Sequence, residues 1–231
     1  MNCPGCAAPM QHLSLDGKLG IPIGVDLCSA CRVIWFDHLK DLQLAPGGTL
    51  NVFGLISSPN AAAAKPLPDT MRCPRCGVRL ALTHDMQRTT RFQYWRCEAE
   101  HGHLMTFVDF LREKDFVRPL SPSEINQLRQ SVQTVNCGNC GAPIDLAKDS
   151  ICRHCGSPLS ILDPAQMART VTQLQAAAST RPAGAAAEES AHAPDLDALV
   201  RLIGSEGDRD APRPELIDVG LRVLRDLLKS N

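Results

Sequence analysis

Five Cys-x-x-Cys pairs and one single cysteine constrain this chain more than any other feature. The eleven cysteines are Cys3, Cys6, Cys28, Cys31, Cys73, Cys76, Cys97, Cys137, Cys140, Cys152 and Cys155. A two-residue spacer lets both sulfurs of a pair reach about 2.3 Å from one ion, so two pairs joined by a loop can wrap a tetrahedral zinc. Cys3, Cys6, Cys28 and Cys31 form one such set, and Cys137, Cys140, Cys152 and Cys155 form another. The set left over, Cys73, Cys76 and Cys97, has a loop nearly as long as the first but lacks a fourth thiol. Two imidazoles follow Cys97 in the stretch RCEAEHGH: His101 gives Cys-x3-His and His103 gives Cys-x5-His. With one of them recruited, three closed four-coordinate zinc sites use every thiol.

Two arguments choose differently between the histidines. A zinc knuckle turns tightly after its second ligand, where glycine accepts positive φ, and Cys76-Gly77, Cys140-Gly141, Cys155-Gly156 and His101-Gly102 all follow that rule. Aligning HLMTFVD (103 to 109) with CRVIWFD (31 to 37) instead places His103 at the position of Cys31. The local geometry favours His101, with His103 as the alternative ligand or as a support for the first.

Small metal-held units suit the composition. Aromatic residues make up only 4% of 231 residues, poor material for one large core. Clustered cysteines read as metal sites in a reducing compartment, and no apolar run approaches the roughly 20 residues needed to cross a bilayer, so a cytoplasmic chain without membrane association is expected. The formal net charge of −1 excludes an overall polyanion-binding field, and only the segment 65 to 118 leans basic.

The expected fold class is a small zinc-stabilised α+β protein: tandem zinc ribbons, built of β-hairpins and short helices, followed by an α-helical C-terminal tail. Residues 1–45 are the first ribbon, with a hairpin around Asp16-Gly17 and then a helix carrying Trp35, Leu39 and Leu42 at i, i+4, i+7 spacing behind Asp37 as N-cap. Residues 46–70, rich in glycine, proline and alanine, read as a linker whose apolar middle, Leu50 to Ile56, could dock on a ribbon. Residues 71–132 repeat the first plan and end in a helix with Ser121 as N-cap, Pro122 at N1 and Glu124 completing a capping box. Residues 133–163 are the third ribbon. In 164–231, Asp163 and Pro164 start a helix, 179–194 form a flexible joint, and 195–203 and 214–230 are amphipathic.

The order CPGC, hairpin, then VDLCSACRVIWFDHLKDL resembles the bacterial zinc-ribbon family named after the N-terminal ribbon of transcription initiation factor IIB. Trp35, Asp37 and Leu39 stand in that family's trailing motif, while Leu39-Lys40 departs from its acidic-leucine ending. The resemblance covers about the first 42 residues and implies a ribbon fold. The third unit, NCGNCGAPIDLAKDSICRHCGSPL, resembles the short four-cysteine ribbon of double-zinc-ribbon proteins.

Closed sites and the lack of HExxH, a nucleophile elbow, a phosphate loop or a zinc-deaminase pattern argue against an enzyme. The expectation is a non-enzymatic zinc-binding interaction module that engages a protein partner, or a second copy of itself, through 195–231. The alternative is a nucleic-acid-binding or transcription-associated zinc-ribbon protein. It would use the basic and aromatic hairpin 88–96, with Arg88, Arg91, Trp95 and Arg96 as contacts; alternation there turns Arg91, Gln93 and Trp95 outward and Phe92 and Tyr94 inward.

Overall fold

The protein is described here from a computed structural model covering residues 1–57, 65–87, 90–179 and 216–229. Its centre is a six-stranded antiparallel sheet made of two three-stranded halves. The first half contains β1 (Gln11–Leu15), β2 (Ile23–Cys28) and β3 (Val33–Phe36); the second contains β4 (Ala81–Gln87), β5 (Thr90–Arg96) and β6 (His103–Thr106). The order β1-β2-β3-β6-β5-β4 joins the halves along β3 and β6, where Val33 faces Thr106, Trp35 faces Leu104 and Phe36 faces His103. What the sequence presents as two separate ribbons is one continuous sheet.

Both faces of the central strands are covered, which explains the first correction. Val33, Ile34, Trp35 and Phe36 are fully buried in β3 instead of opening a helix behind Asp37. Leu39 and Leu42, the other members of the supposed apolar stripe, are exposed. A strand buried on both faces shows neither alternation nor helical period, so its β-branched and aromatic content was the better signal.

One face of the sheet supports the main core. Ile34, Phe36, Val25 and Met105 meet the helices α1 (Pro46–Ile56) and α2 (Phe107–Glu113), together with later elements. The segment read as a linker therefore contains a helix whose Val52, Phe53 and Ile56 lie at or below 1% exposure. Glycine lowers the intrinsic helix propensity of PGGTLNVFGLI, but burial of these side chains outweighs it. Gly48 is needed for position, since a Cβ there would collide with the Asp16 carbonyl beneath the first turn.

The third unit is bonded to this body. β7 (Val117–Pro119) pairs with β10 (Ser160–Leu162), and between them lie α3 (Pro122–Ser131), β8 (Thr134–Asn136) and β9 (Pro143–Asp145). Ile161 points into the third unit's own cluster while its neighbour Leu162 points into the main core, so β10 ties the two together. The capping box at α3 has both halves: Glu124 N–H donates to Ser121 Oγ at 3.3 Å, and Ser121 N–H donates to Glu124 Oε2 at 2.7 Å. Ser121→Ala should cost about 1 kcal/mol. The checking observation is faster hydrogen exchange within 122–131 and not elsewhere.

α4 (Pro164–Ser179) and α5 (Leu216–Lys229) complete the main core with Met167, Val171, Leu221 and Leu224. Over 216–229, Leu221 and Leu224 are therefore buried inside the molecule. The expected helix 195–203 and all of the joint after Ser179 lie outside the described residues. No helix among the described residues is long and apolar enough to cross a membrane.

Candidate metal centres

The second face of the sheet carries Val33, Trp35 and Leu104, and around them Cys3, Cys28, Cys31, Cys73 and Cys97 in a single cluster. Three donor groups are brought together: Cys3, Cys6, Cys28 and Cys31; Cys73, Cys76, Cys97 and His101; and Cys137, Cys140, Cys152 and Cys155. We call them centres 1, 2 and 3. Within each, the four donor atoms lie within 4.8 Å of one another.

A common turn builds most of these half-sites. Cys3, Cys73, Cys137 and Cys152 each receive a hydrogen bond at the carbonyl from the N–H four residues on and donate their own N–H to the carbonyl five residues on. The residue after the second cysteine has φ of +74° at Gly77 and Gly141, +71° at Gly156 and +60° at Ala7. Backbone N–H groups inside the turn point at sulfur: Gly5 N lies 3.3 Å from Cys3 Sγ, and Arg75 N lies 3.4 Å from Cys73 Sγ.

The spacing of the donors suits a shared metal ion. Four sulfurs placed about 2.3 Å from one zinc form a tetrahedron with an edge of about 3.8 Å. Observed Sγ to Sγ separations are 3.7 Å for Cys6 and Cys28, 3.6 Å for Cys76 and Cys97, 3.6 Å for Cys137 and Cys155, and 3.7 Å for Cys140 and Cys152. A disulfide would hold its sulfurs at about 2.05 Å. In centre 2, His101 Nδ1 lies 3.5 Å from Cys97 Sγ, close to the edge of about 3.6 Å expected between a sulfur and a nitrogen on one zinc.

Burial opposes ionisation of several of these thiols. Burial pushes the Cys3 thiol up to about 12 and the Cys73 thiol up to about 11. Cys31 is also pushed up, first by burial and then by the charge of Cys3. Clustered thiols cannot all ionise alone, and a divalent cation is what allows four thiolates to share one site. Cys97 is lowered, as Cys6 and Cys155 are: burial opposes its charge, but hydrogen bonding from the His101 backbone and ring brings it down to about 6.

His103 is in a different place. It faces the main core, stacked on Phe36 at 5.5 Å and beside Tyr94 at 5.2 Å between ring centres, with Nε2 3.9 Å from Asp41 Oδ2. The alignment that favoured it has the wrong register. In both halves a four-residue loop closes the second turn, between paired Cys28 and Val33 and between Cys97 N–H and Gly102 O. His103 therefore matches Ile34, and Leu104 matches Trp35. Neither histidine occupies the place of Cys31; His101 stands one residue later, and its longer side chain spans the difference. Gly102 is required there, with φ of +136° and no room for a Cβ against the Phe36 carbonyl.

The sequence reading missed what Asp37 does. It accepts hydrogen bonds from Trp35 Nε1 at 3.2 Å, Lys40 Nζ at 3.2 Å and the Arg75 guanidinium at 2.7 and 2.9 Å. Although burial works against its charge, these donors hold the carboxyl below the usual carboxylate range. Arg75 lies inside the Cys73 turn, so this contact clasps centre 2 to the first half. An aspartate two residues from a tryptophan and an arginine between paired cysteines were visible in the sequence, but their meeting needed the β3 and β6 seam.

The hairpin expected to contact nucleic acid is arranged differently from its expectation. Phe92 and Tyr94 pack against the main core as foreseen, but Gln93 is buried and Trp95 packs against the cysteine cluster. Arg91 and Arg96 are exposed, while Arg88 lies outside the described residues. No free aromatic ring accompanies the two arginines on this hairpin among the described residues.

Between the hairpin and the third unit lies a cleft of about 840 Å³. Gln93, Arg112 and Ser157 are among its lining residues. Beneath it, Thr106, Asp109, Arg112, Asn139 and Ser157 form a buried hydrogen-bonded network, in which Asn139 Nδ2 lies 3.0 Å from Ser157 Oγ and 4.0 Å from Cys155 Sγ. This network positions centre 3 against α2.

Fold and site together define a mixed α+β protein with three cysteine-rich groups that could each hold a metal ion. Comparison with protein-family models, with curated proteins and with solved structures gives no match.

Proposed function

We propose that this is a non-enzymatic zinc protein, in which three structural zinc ions hold a scaffold that binds another macromolecule. The observation that carries the reading is the 3.6 to 3.7 Å spacing of the sulfurs, the edge length of a zinc tetrahedron. Zinc suits this donor set: thiolates and one imidazole in four-coordinate geometry are its usual ligands, whereas calcium and magnesium take oxygen donors. Each group supplies four protein donors, so no coordination position is kept for water or substrate, as a catalytic zinc requires. What the ions supply is cohesion: centres 1 and 2 meet around Trp35, and centre 3 seats the third unit.

The partner-binding surface in this reading includes the cleft above Arg112, since the apolar face of α5 is used internally. A protein partner is favoured over nucleic acid because the cleft mixes Arg91 and Arg118 with Asp115 and Asp163 and offers no basic field.

Elemental analysis and cobalt substitution test the reading. Three ions per chain are expected, and the cobalt form should show tetrahedral visible absorption at all three. Fewer ions, or a five-coordinate spectrum at centre 2 signalling bound water, would overturn closed structural coordination.

A further inference from the structure

The three centres differ in one respect that bears on chemistry. Centre 1 is roofed by the segment returning from α1: Lys65 N–H donates to Ala30 O at 2.9 Å, and Leu67, buried, lies over the Gly5 backbone. Centre 3 is covered by Asn139 and Ser157 of the buried network. Centre 2 has no such cover. Its turn is exposed from Arg75 to Arg79, and Cys76 is the one exposed thiol among the eleven cysteines. Every other thiol is buried except Cys6 and Cys155, which are half-buried. His101 on the same centre is also only partly covered.

We propose that centre 2 is a site of reversible thiol oxidation, at which hydrogen peroxide converts Cys76 and Cys97 to a disulfide and releases the metal ion. This rests on the zinc reading of the same residues. Exposure selects Cys76 as the attacking thiolate, because an oxidant must reach the sulfur. Its Sγ attacks one peroxide oxygen; the O–O bond breaks, hydroxide leaves and takes up a proton, and Cys76 becomes a sulfenic acid. Cys97 Sγ, 3.6 Å away, then attacks the Cys76 sulfur. The S–O bond breaks and a second hydroxide takes up a proton. The two sulfurs lose two electrons, the peroxide becomes two waters, and zinc keeps its charge throughout. With only Cys73 and His101 left as donors, the ion departs. A dithiol reductant reverses the step and allows zinc to return.

The structure also indicates what oxidation would loosen. The Cys73 turn carries Arg75, whose guanidinium clasps Asp37 at the end of β3. Losing the ion frees that turn from β5 and β6, while centres 1 and 3 keep their own.

The test uses the full chain with its zinc content measured first. Hydrogen peroxide is added while a chromogenic chelator reports zinc release, and disulfides are mapped by mass spectrometry. Expected is one ion released on the order of tenfold faster than the other two, a Cys76 to Cys97 disulfide, and recovery on adding reductant. Three ions released at one rate, or a first disulfide in centre 1 or centre 3, would overturn the inference while leaving three structural zincs in place. A chain that holds fewer than three ions before oxidant is added would overturn the zinc reading and this inference with it. Cys76→Ser should abolish the fast phase. If that variant leaves centre 2 empty from the start, disulfide mapping in the unmutated protein still decides.

Discussion

His101→Ala is expected to lower bound zinc from three ions per chain to two, whereas His103→Ala should retain all three. Loss of one of four donors opens centre 2 to water, and structural zinc sites commonly contribute on the order of 10 kcal/mol to the order of the segment they close. The consequence should be local. Hydrogen exchange should rise in the Cys73 turn and around β6, with centres 1 and 3 still filled. His103→Ala should instead cost about 1 to 3 kcal/mol, by removing the ring packed on Phe36 and Tyr94. Elemental analysis of the two variants reads the difference directly, and the reverse pattern would reassign the donor.

The second large effect lies far from any cysteine. Phe53→Ala should destabilise the protein by about 3 to 5 kcal/mol, because Phe53 is fully buried with its ring 4.5 Å from that of Phe116 and 5.9 Å from that of Phe110. A linker residue would cost almost nothing. Since metal release complicates a single unfolding midpoint, the measurement is thermal unfolding at saturating zinc, compared with Leu42→Ala as an exposed control. Equal midpoints for the two variants would mean that α1 does not belong to the core.

These expectations show how unevenly the structure could be read in advance. Cysteine spacing is a local property, so the three donor groups, including His101, were legible from the chain alone. So was the capping box at Ser121 and Glu124, which needs only four consecutive residues. The β3 strand was misread because Val33 to Phe36 are covered on both faces, and the pattern that separates helix from strand exists only where one face meets water. Helix α1 was read as linker because its glycines lower propensity, and the rings that receive Phe53 come from residues more than fifty positions away in the chain. Trp95 was expected outward because alternation assigns residues to two faces but does not say whether the second face is solvent or another part of the protein.

The sequence by itself determined where twelve donors fall and how they divide among three metal groups, since a Cys-x-x-Cys turn carries its geometry within a few residues. Only the tertiary structure decided that the first two units share one sheet, that the last helix closes the core, and that centre 2 alone leaves a thiol in the open. The physical reason is range: ligand spacing acts through bond lengths and turn dihedrals, whereas strand pairing, coverage and exposure depend on which distant apolar surfaces meet.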